Sequence, residues 1–291
     1  MVVPFPAGGA TDILARAVAL KMQDALGQSI VIENRPGAGG AIGSDAVAKA
    51  APDGYTLLVA TSSTHSIGPR LNPKLPYDAA KDFTPIGQIA SSPNVLLVNA
   101  GLGVNSLSEF ITLARTQPGK LNYGSSGNGT IVHLTSELFK SQTGLFITHI
   151  PYRGTALVMP DLKAGQVHML FDSIVSAQPH LQDPKLKVLG MTSAMRSALM
   201  PQLPAVAEAL PGFESTTWFG LYGPKGLPAE VLVRLSGALN TALQDSELRQ
   251  RLLRLGAEPA SLSTPETFAR MVEADSAKWG QLIAARRITA E

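Results

Sequence analysis

Again and again this chain runs a short apolar stretch into a glycine- or hydroxyl-rich loop and then into a helical pattern. That order leaves few folds open. Residues 2–5 empty into Gly8-Gly9-Ala10-Thr11-Asp12, after which Ile13, Leu14, Ala17, Val18, Met22, Ala25 and Leu26 recur at helical spacing until Gly27 stops them. Residues 56–60 form a β-rich run that ends in Thr61-Ser62-Ser63-Thr64-His65. A run over 121–123 leads to Ser125-Ser126-Gly127-Asn128-Gly129-Thr130, and helical spacing follows over 131–141. Strand and helix alternating at this interval predict an α/β fold, a parallel sheet with helices on both faces.

Further strands are expected at 29–33, 84–89, 94–99, 148–152, 167–171, 187–191 and 217–222. Helices are expected at 44–51, 107–116 and 155–164, the last kinked or restarted at Pro160. Beyond Gly223-Pro224 the pattern is helical: 229–243, 246–255 and 265–287, with Ser263 or Thr264 as N-cap and Pro265 just inside. The 291 residues suit two lobes or one large α/β unit. Crossings between lobes are placed near 98–102 and 215–219, so residues 1–98 and 219–291 make one lobe and 99–218 the other. No Gly/Ser-rich linker marks either crossing, which favours two hinge strands over a tethered domain.

At 45% hydrophobic and 16% charged the chain can bury a full core. A net charge of +2, without basic runs, is no footprint for nucleic acid, and 5% aromatics make no stacking platform for bases. The absence of cysteine removes thiol catalysis, cysteine-ligated zinc and disulfides, and suits an oxidising compartment. No apolar stretch approaches the roughly 20 residues of a membrane span. Met1 stands directly before what reads as the end of a buried strand, so a leader or strand upstream is expected to have been removed.

The two loops that open into long helices are the strongest chemical signal. Glycine uncovers backbone N–H groups, and a helix N-terminus adds unpaired donors and about half a positive charge. One such loop hints at an anion site; two, far apart in sequence, point to a carboxylate gripped between two helix ends. Ala7, Gly8, Gly9, Ala10, Thr11 and Asp12 are the candidates in the first loop. Thr11 is expected to cap its helix and offer a hydroxyl, and Asp12 reads more readily as a capping than a ligand-facing group. Ser125, Ser126, Gly127, Gly129 and Thr130 are the candidates in the second, with His133 one turn into the helix. Asp172-Ser173, at the end of an apolar strand, places a carboxylate where a ligand ammonium, hydroxyl or bridging water would meet it.

Other constellations are weaker. Gly37-Ala38-Gly39-Gly40-Ala41-Ile42-Gly43 fails as a dinucleotide loop, because its third glycine is late and no acid ends the next strand. Ser62, Ser63 and His65, with Asp12, are hydrolase residue types but lack a G-x-S-x-G elbow. They are kept as candidate ligand contacts. The five histidines include no H-E-x-x-H pair, so no metal site or cofactor is expected.

Taken together, Val3-Pro4-Phe5-Pro6-Ala7-Gly8-Gly9-Ala10-Thr11-Asp12, Asn34-Arg35-Pro36-Gly37-Ala38-Gly39-Gly40, Ala51-Pro52-Asp53-Gly54-Tyr55-Thr56-Leu57-Leu58 and Pro151-Tyr152-Arg153-Gly154 resemble, in order, the Bug proteins. These are the TctC-like extracytoplasmic solute receptors of tripartite tricarboxylate transporters. The resemblance covers essentially the whole chain. It implies a type II periplasmic binding protein, a two-lobed Venus flytrap holding a small carboxylate-bearing solute in its cleft. It also implies that backbone groups of the first loop and of Ser125–Thr130 hold the carboxylate, with ordered waters bridging to the first lobe. The segment before Pro160 departs from the family's commoner sequence, and nothing is carried over to it.

The reading is therefore a periplasmic receptor, monomeric, its signal peptide removed, that meets membrane transporter subunits transiently. The alternatives are a hydrolase or lyase using Ser or His in the same cleft, and a sensor that binds the solute to signal to a partner.

Overall fold

The computed structural model describes residues 1–197, 200–286 and 288–289. In chain order the elements are β1 Val2–Val3, α1 Ala10–Leu26, β2 Glu33–Asn34, α2 Ala41–Ala48, β3 Leu58–Thr61, α3 Gly68–Leu71, β4 Phe83–Asn99, α4 Leu107–Thr116 and β5 Asn122–Ser125. They continue with α5 Ile131–Thr143, β6 Thr148–Pro151, α6 Thr155–Ala164, β7 Met169–Ser173, α7 Ile174–Ala177, β8 Leu186–Met191 and β9 Thr216–Pro224. The chain closes with α8 Ala229–Gln244, α9 Ser246–Arg254, β10 Glu258–Pro259 and α10 Pro265–Arg286. Thr264 caps α10, accepting the Thr267 N–H at 3.2 Å. Arg287, the last residue of the helix expected there, lies outside the described residues.

Two α/β sheets share one strand. In the first, β1 runs parallel to β2 and β3, and β3 pairs antiparallel with β9. β9 in turn pairs antiparallel with residues 83–93 of β4. In the second, residues 94–99 of β4 run antiparallel to β7 and β8, while β5 runs parallel to β6 and β7. The sheets are therefore mixed, where the sequence pattern predicted parallel strands. The reason is topological, since β4 and β9 carry the chain across and back and so oppose their neighbours.

The sequence also predicted two strands, 84–89 and 94–99, where one 17-residue strand stands. Pro85 and Pro93 obscured it, because proline cannot donate to a ladder. The register slips between Pro85 and Gly87 and between Gln88 and Ala90, which absorbs part of that defect. The exchange of partners falls between Pro93 and Asn94, upstream of the stretch 98–102 expected from sequence. On the return, the Ser215 N–H still donates to the Thr192 carbonyl beside β8, and Thr216 already pairs with Pro93.

Each sheet has its own core. Val18 and Met22 of α1, Leu239 of α8 and Leu252 of α9 close over Val59 and Phe219 of the first. Phe110, Phe139, Tyr123, Phe171 and Phe213 fill one side of the second. Trp279 and Ile283 of α10 belong to a third cluster with Val95, Ile131 and Leu134, so the C-terminal helix leans on the second lobe. No helix among the described residues is long and apolar enough to cross a membrane.

Candidate functional site

A cavity of about 50 Å³ lies between the two sheets. Phe5, Pro6, Gly9, Ala10, Thr11, Thr61 and Ser63 line it from the first lobe. Ser126, Ile131, Val132, Gly154, Thr155, Ala156, Asp172 and Ser173 face them from the second, and Asn94, Thr217 and Phe219 lie on the crossing strands. Of the residues singled out from sequence it thus gathers Gly9, Ala10, Thr11, Ser63, Ser126, Asp172 and Ser173. Ala7, Gly8, Asp12, Ser62, His65, Ser125, Gly127, Gly129, Thr130 and His133 are not on its wall.

The first loop is built to free two donors. Gly9, with φ −76°, is the N-cap of α1 and offers no side chain, so Thr11 is not the cap expected of it and lines the cavity instead. Ala10 and Thr11 hold the first two helical positions, whose N–H groups have no partner within the helix. Asp12 is occupied elsewhere. Its carboxylate accepts the Gly8 N–H, Arg16 Nε and Asn34 Nδ2, each at 3.0 Å. Burial opposes its ionisation, but Arg16, Gly8 and Asn34 outweigh burial and hold its carboxyl below the usual range. The residue thereby ties the loop to β2, and Gly8, at φ +80°, takes the left-handed turn that lets it do so.

The second loop spends its glycine donors internally. The Gly127 N–H goes to Ser125 Oγ at 3.1 Å and the Gly129 N–H to His133 Nδ1 at 3.2 Å. Ser125 Oγ also lies 2.6 Å from His149 Nε2. His133, His149 and Tyr123 form a stack, with neighbouring ring centroids 4.3 and 4.7 Å apart. Since His133 Nδ1 accepts a proton donor, the ring is neutral with its hydrogen on Nε2. Burial pushes His133 down to about 4, helped by Lys140 and opposed by Glu137. Thr130 caps α5 through its side chain. Histidine, serine and threonine thus brace the loop from behind, and Ser126 is the loop residue that reaches the cavity.

The lobes touch around this cavity. Ser63 Oγ, on the one-turn π segment after β3, accepts the Ile131 N–H at 3.0 Å. A Cβ on Gly39 would stand 2.8 Å from the Asn128 carbonyl, and one on Gly154 would stand 2.5 Å from Pro6 Cδ. The glycine cluster 37–43 therefore serves backbone-to-backbone contact at the cleft rim.

His65 sits elsewhere. It is 3% exposed, with ring centroids of Tyr222 at 4.5 Å and Phe83 at 4.6 Å, and burial pushes it down to about 3. Ser62 is wholly buried behind the cavity wall. The Ser–His contact that the fold does contain, Ser125 with His149, is buried at the serine and already takes the Gly127 N–H. Among the described residues no cluster of three or more metal-ligating side chains occurs.

Asp172, at the end of β7, is 2% exposed and accepts Ser176 Oγ at 2.8 Å. Burial pushes its carboxyl up to about 6, against the opposing effect of hydrogen bonds from Ser176, Thr155 and the Ser173 N–H. Thr61, Asn94, Thr155 and Thr217 were not anticipated. Thr61 stands at a strand's carboxyl end, the usual ligand side of an α/β sheet, and that signal was available. Asn94 and Thr217 carried none, because only the pairing of β4 with β9 brings them to the cleft.

The chain matches the family model of the tripartite tricarboxylate transporter family receptors, TctC, over residues 14–288. It is similar to the periplasmic binding protein BugD, at 33% identity and a TM-score of 0.95, covering 99% of this chain and 97% of that one. Rpa4515 of Rhodopseudomonas palustris, solved with adipate, is 39% identical with a TM-score of 0.95, covering 99% and 96%. MatC of the same organism, with bound malate, is 36% identical with a TM-score of 0.92, covering 97% of each.

Proposed function

The chain belongs to the tripartite tricarboxylate transporter receptor family, TctC, a family of solute-binding proteins, and from that premise we propose that its cleft captures a small solute by a carboxylate. The observation that carries this reading is the cavity wall. Ala10 and Thr11 at the start of α1 face Ser126 and the first turn of α5 across it. Helix starts bring unpaired N–H groups and a favourable dipole from both sides. Hydrogen bonds to a charged group contribute about 1.5–3 kcal/mol each, and micromolar affinity corresponds to about 8 kcal/mol net. A handful of such donors is enough, after the costs of ordering and closure. The carboxylates adipate and malate in Rpa4515 and MatC support the same class of solute.

The working unit in this reading is a pair of lobes, 1–93 with 216–291 and 94–215, turning about the β4 and β9 crossings. The protein serves in the periplasm, a place supported by its likeness to the periplasmic binding protein BugD. It acts as a monomer and hands its solute to membrane transporter subunits. It binds rather than transforms, since Ser62, Ser63 and His65 do not assemble a nucleophile with a base. Calorimetric titration with small mono-, di- and tricarboxylates, each beside its primary amide, tests the proposal. Carboxylates are expected to bind at micromolar levels and return unchanged. Amides that bind as tightly as their acids refute it.

A further inference from the structure

The cavity also has a far end, and its chemistry is unlike that of the helix starts. Among the described residues no lysine, arginine or histidine lines the cavity, and Asp172 is its one ionisable side chain. Thr61, 2% exposed and on the same wall, carries a buried hydroxyl without a hydrogen-bond partner. A second carboxylate brought here would meet a buried acid and no cation. Like charges placed together in a desolvated site are strongly unfavourable. A hydroxyl or ammonium would instead donate to Asp172 and satisfy Thr61 Oγ1, which both donates and accepts.

Resting on the carboxylate reading, we propose that this receptor selects monoanionic acids whose distal end is a hydrogen-bond donor, with Asp172 and Thr61 as the specificity-determining pair. A dicarboxylate enters with one proton taken up by the complex, held on its distal carboxyl or on Asp172. Charge balance makes the claim specific: one net negative charge arrives whichever acid binds.

The probes are two series of equal chain length: butyrate, 4-hydroxybutyrate, 4-aminobutyrate and succinate, then hexanoate, 6-hydroxyhexanoate, 6-aminohexanoate and adipate. Titrations at neutral pH in two buffers of different ionisation enthalpy report affinity and proton uptake together. The hydroxy or amino acid of a series is expected to bind roughly tenfold or more tighter than the dianion and the methyl-ended acid. The dianion is expected to take up about one proton, the others none. The hydroxy and amino arms tell a hydroxyl from an ammonium. Asp172→Asn is expected to erase the preference and the proton uptake. Thr61→Val, which keeps the shape, is expected to weaken the donor-ended acids several-fold and leave the methyl-ended ones alone.

A dianion that binds as tightly as its hydroxy partner, takes up no proton and is indifferent to Asp172→Asn overturns the inference and leaves the carboxylate reading standing. A methyl end that binds as tightly as a donor end does the same. Absence of binding by every acid, in protein with intact thermal unfolding, removes both.

Discussion

Ser63 Oγ accepts the Ile131 N–H at 3.0 Å across the cleft, so a side chain of one lobe caps the first helical position of the other. The residues are 68 positions apart. Helix α5 therefore has one cap of its own, Thr130, and one borrowed from the first lobe. Solute binding and lobe contact act on the same helix end.

Removing the borrowed cap tests that coupling. Ser63→Ala is expected to cost about 1 kcal/mol of stability, the usual effect of losing such a bond with its donor buried. It should also loosen the closed arrangement, raising the radius of gyration measured by small-angle scattering at saturating acid. An unchanged scattering curve, with unchanged affinity, would show that the contact holds nothing together.

Gly39 supplies a sharper test of closure. Alanine there takes a left-handed φ of +64° and also drives a Cβ to 2.8 Å from the Asn128 carbonyl on the opposite lobe. Gly103, at φ +70° with nothing within 4 Å, is the matched control for backbone strain alone. Both alanines should cost about 1 kcal/mol in thermal stability. Only Gly39→Ala should weaken acid binding, by tenfold or more, because only it keeps the lobes apart. Equal affinities in the two variants would remove the glycine cluster from closure.

Gly127 and Gly9 should part company. Gly127 holds φ +125°, and its Cβ would press the Tyr152 carbonyl at 3.3 Å. Gly9, at φ −76°, is conformationally ordinary, and an added Cβ would meet only the Pro6 carbonyl at 3.4 Å. Gly127→Val should therefore lose both stability and binding. Gly9→Val should fold normally and lose affinity only by covering the donors beside it. Differential scanning calorimetry with titration separates the outcomes; a destabilised Gly9→Val would mean the loop is tighter than its geometry allows.

Acid should destabilise the protein through its buried imidazoles. His65 is lowered from 6.5 to about 3 and His133 to about 4, both chiefly by burial. Their unfolded forms bind protons first, so the stability they contribute is complete above about 6.5 and is lost as pH falls toward 4. Every tenfold weakening of proton affinity on folding corresponds to about 1.4 kcal/mol, so the combined effect is several kcal/mol. Asp172, raised from 3.8 to about 6 by burial, works in the opposite sense, its contribution being present below 3.8 and lost as pH rises through 6. Urea midpoints between pH 7 and pH 4 should fall with acid in the native chain and fall more steeply in Asp172→Asn. A flat profile in both would mean these rings are not buried as described.

Much of this architecture is legible in the sequence, because its signals are local. Apolar spacing and stop residues mark α4 and α6 with the bounds the fold shows, Leu107–Thr116 and Thr155–Ala164, even with Pro160 inside. Gly144 and Gly27 mark helix ends because a left-handed residue closes a helix without reference to anything distant. Four motifs in order are enough to identify the family. What only the tertiary structure decided is which groups face the cleft. Gly127 and Gly129 looked like open donors, yet Ser125 and His133 take their protons. His65 looked like chemistry and is walled in by Phe83 and Tyr222. Thr61 and Asp172 stand 111 residues apart in the chain and share one small cavity only because β3 and β7 belong to sheets joined through β4 and β9. Periodicity and turn chemistry act over a few residues, whereas a binding site is set by strand pairings whose sequence separation is as long as a lobe.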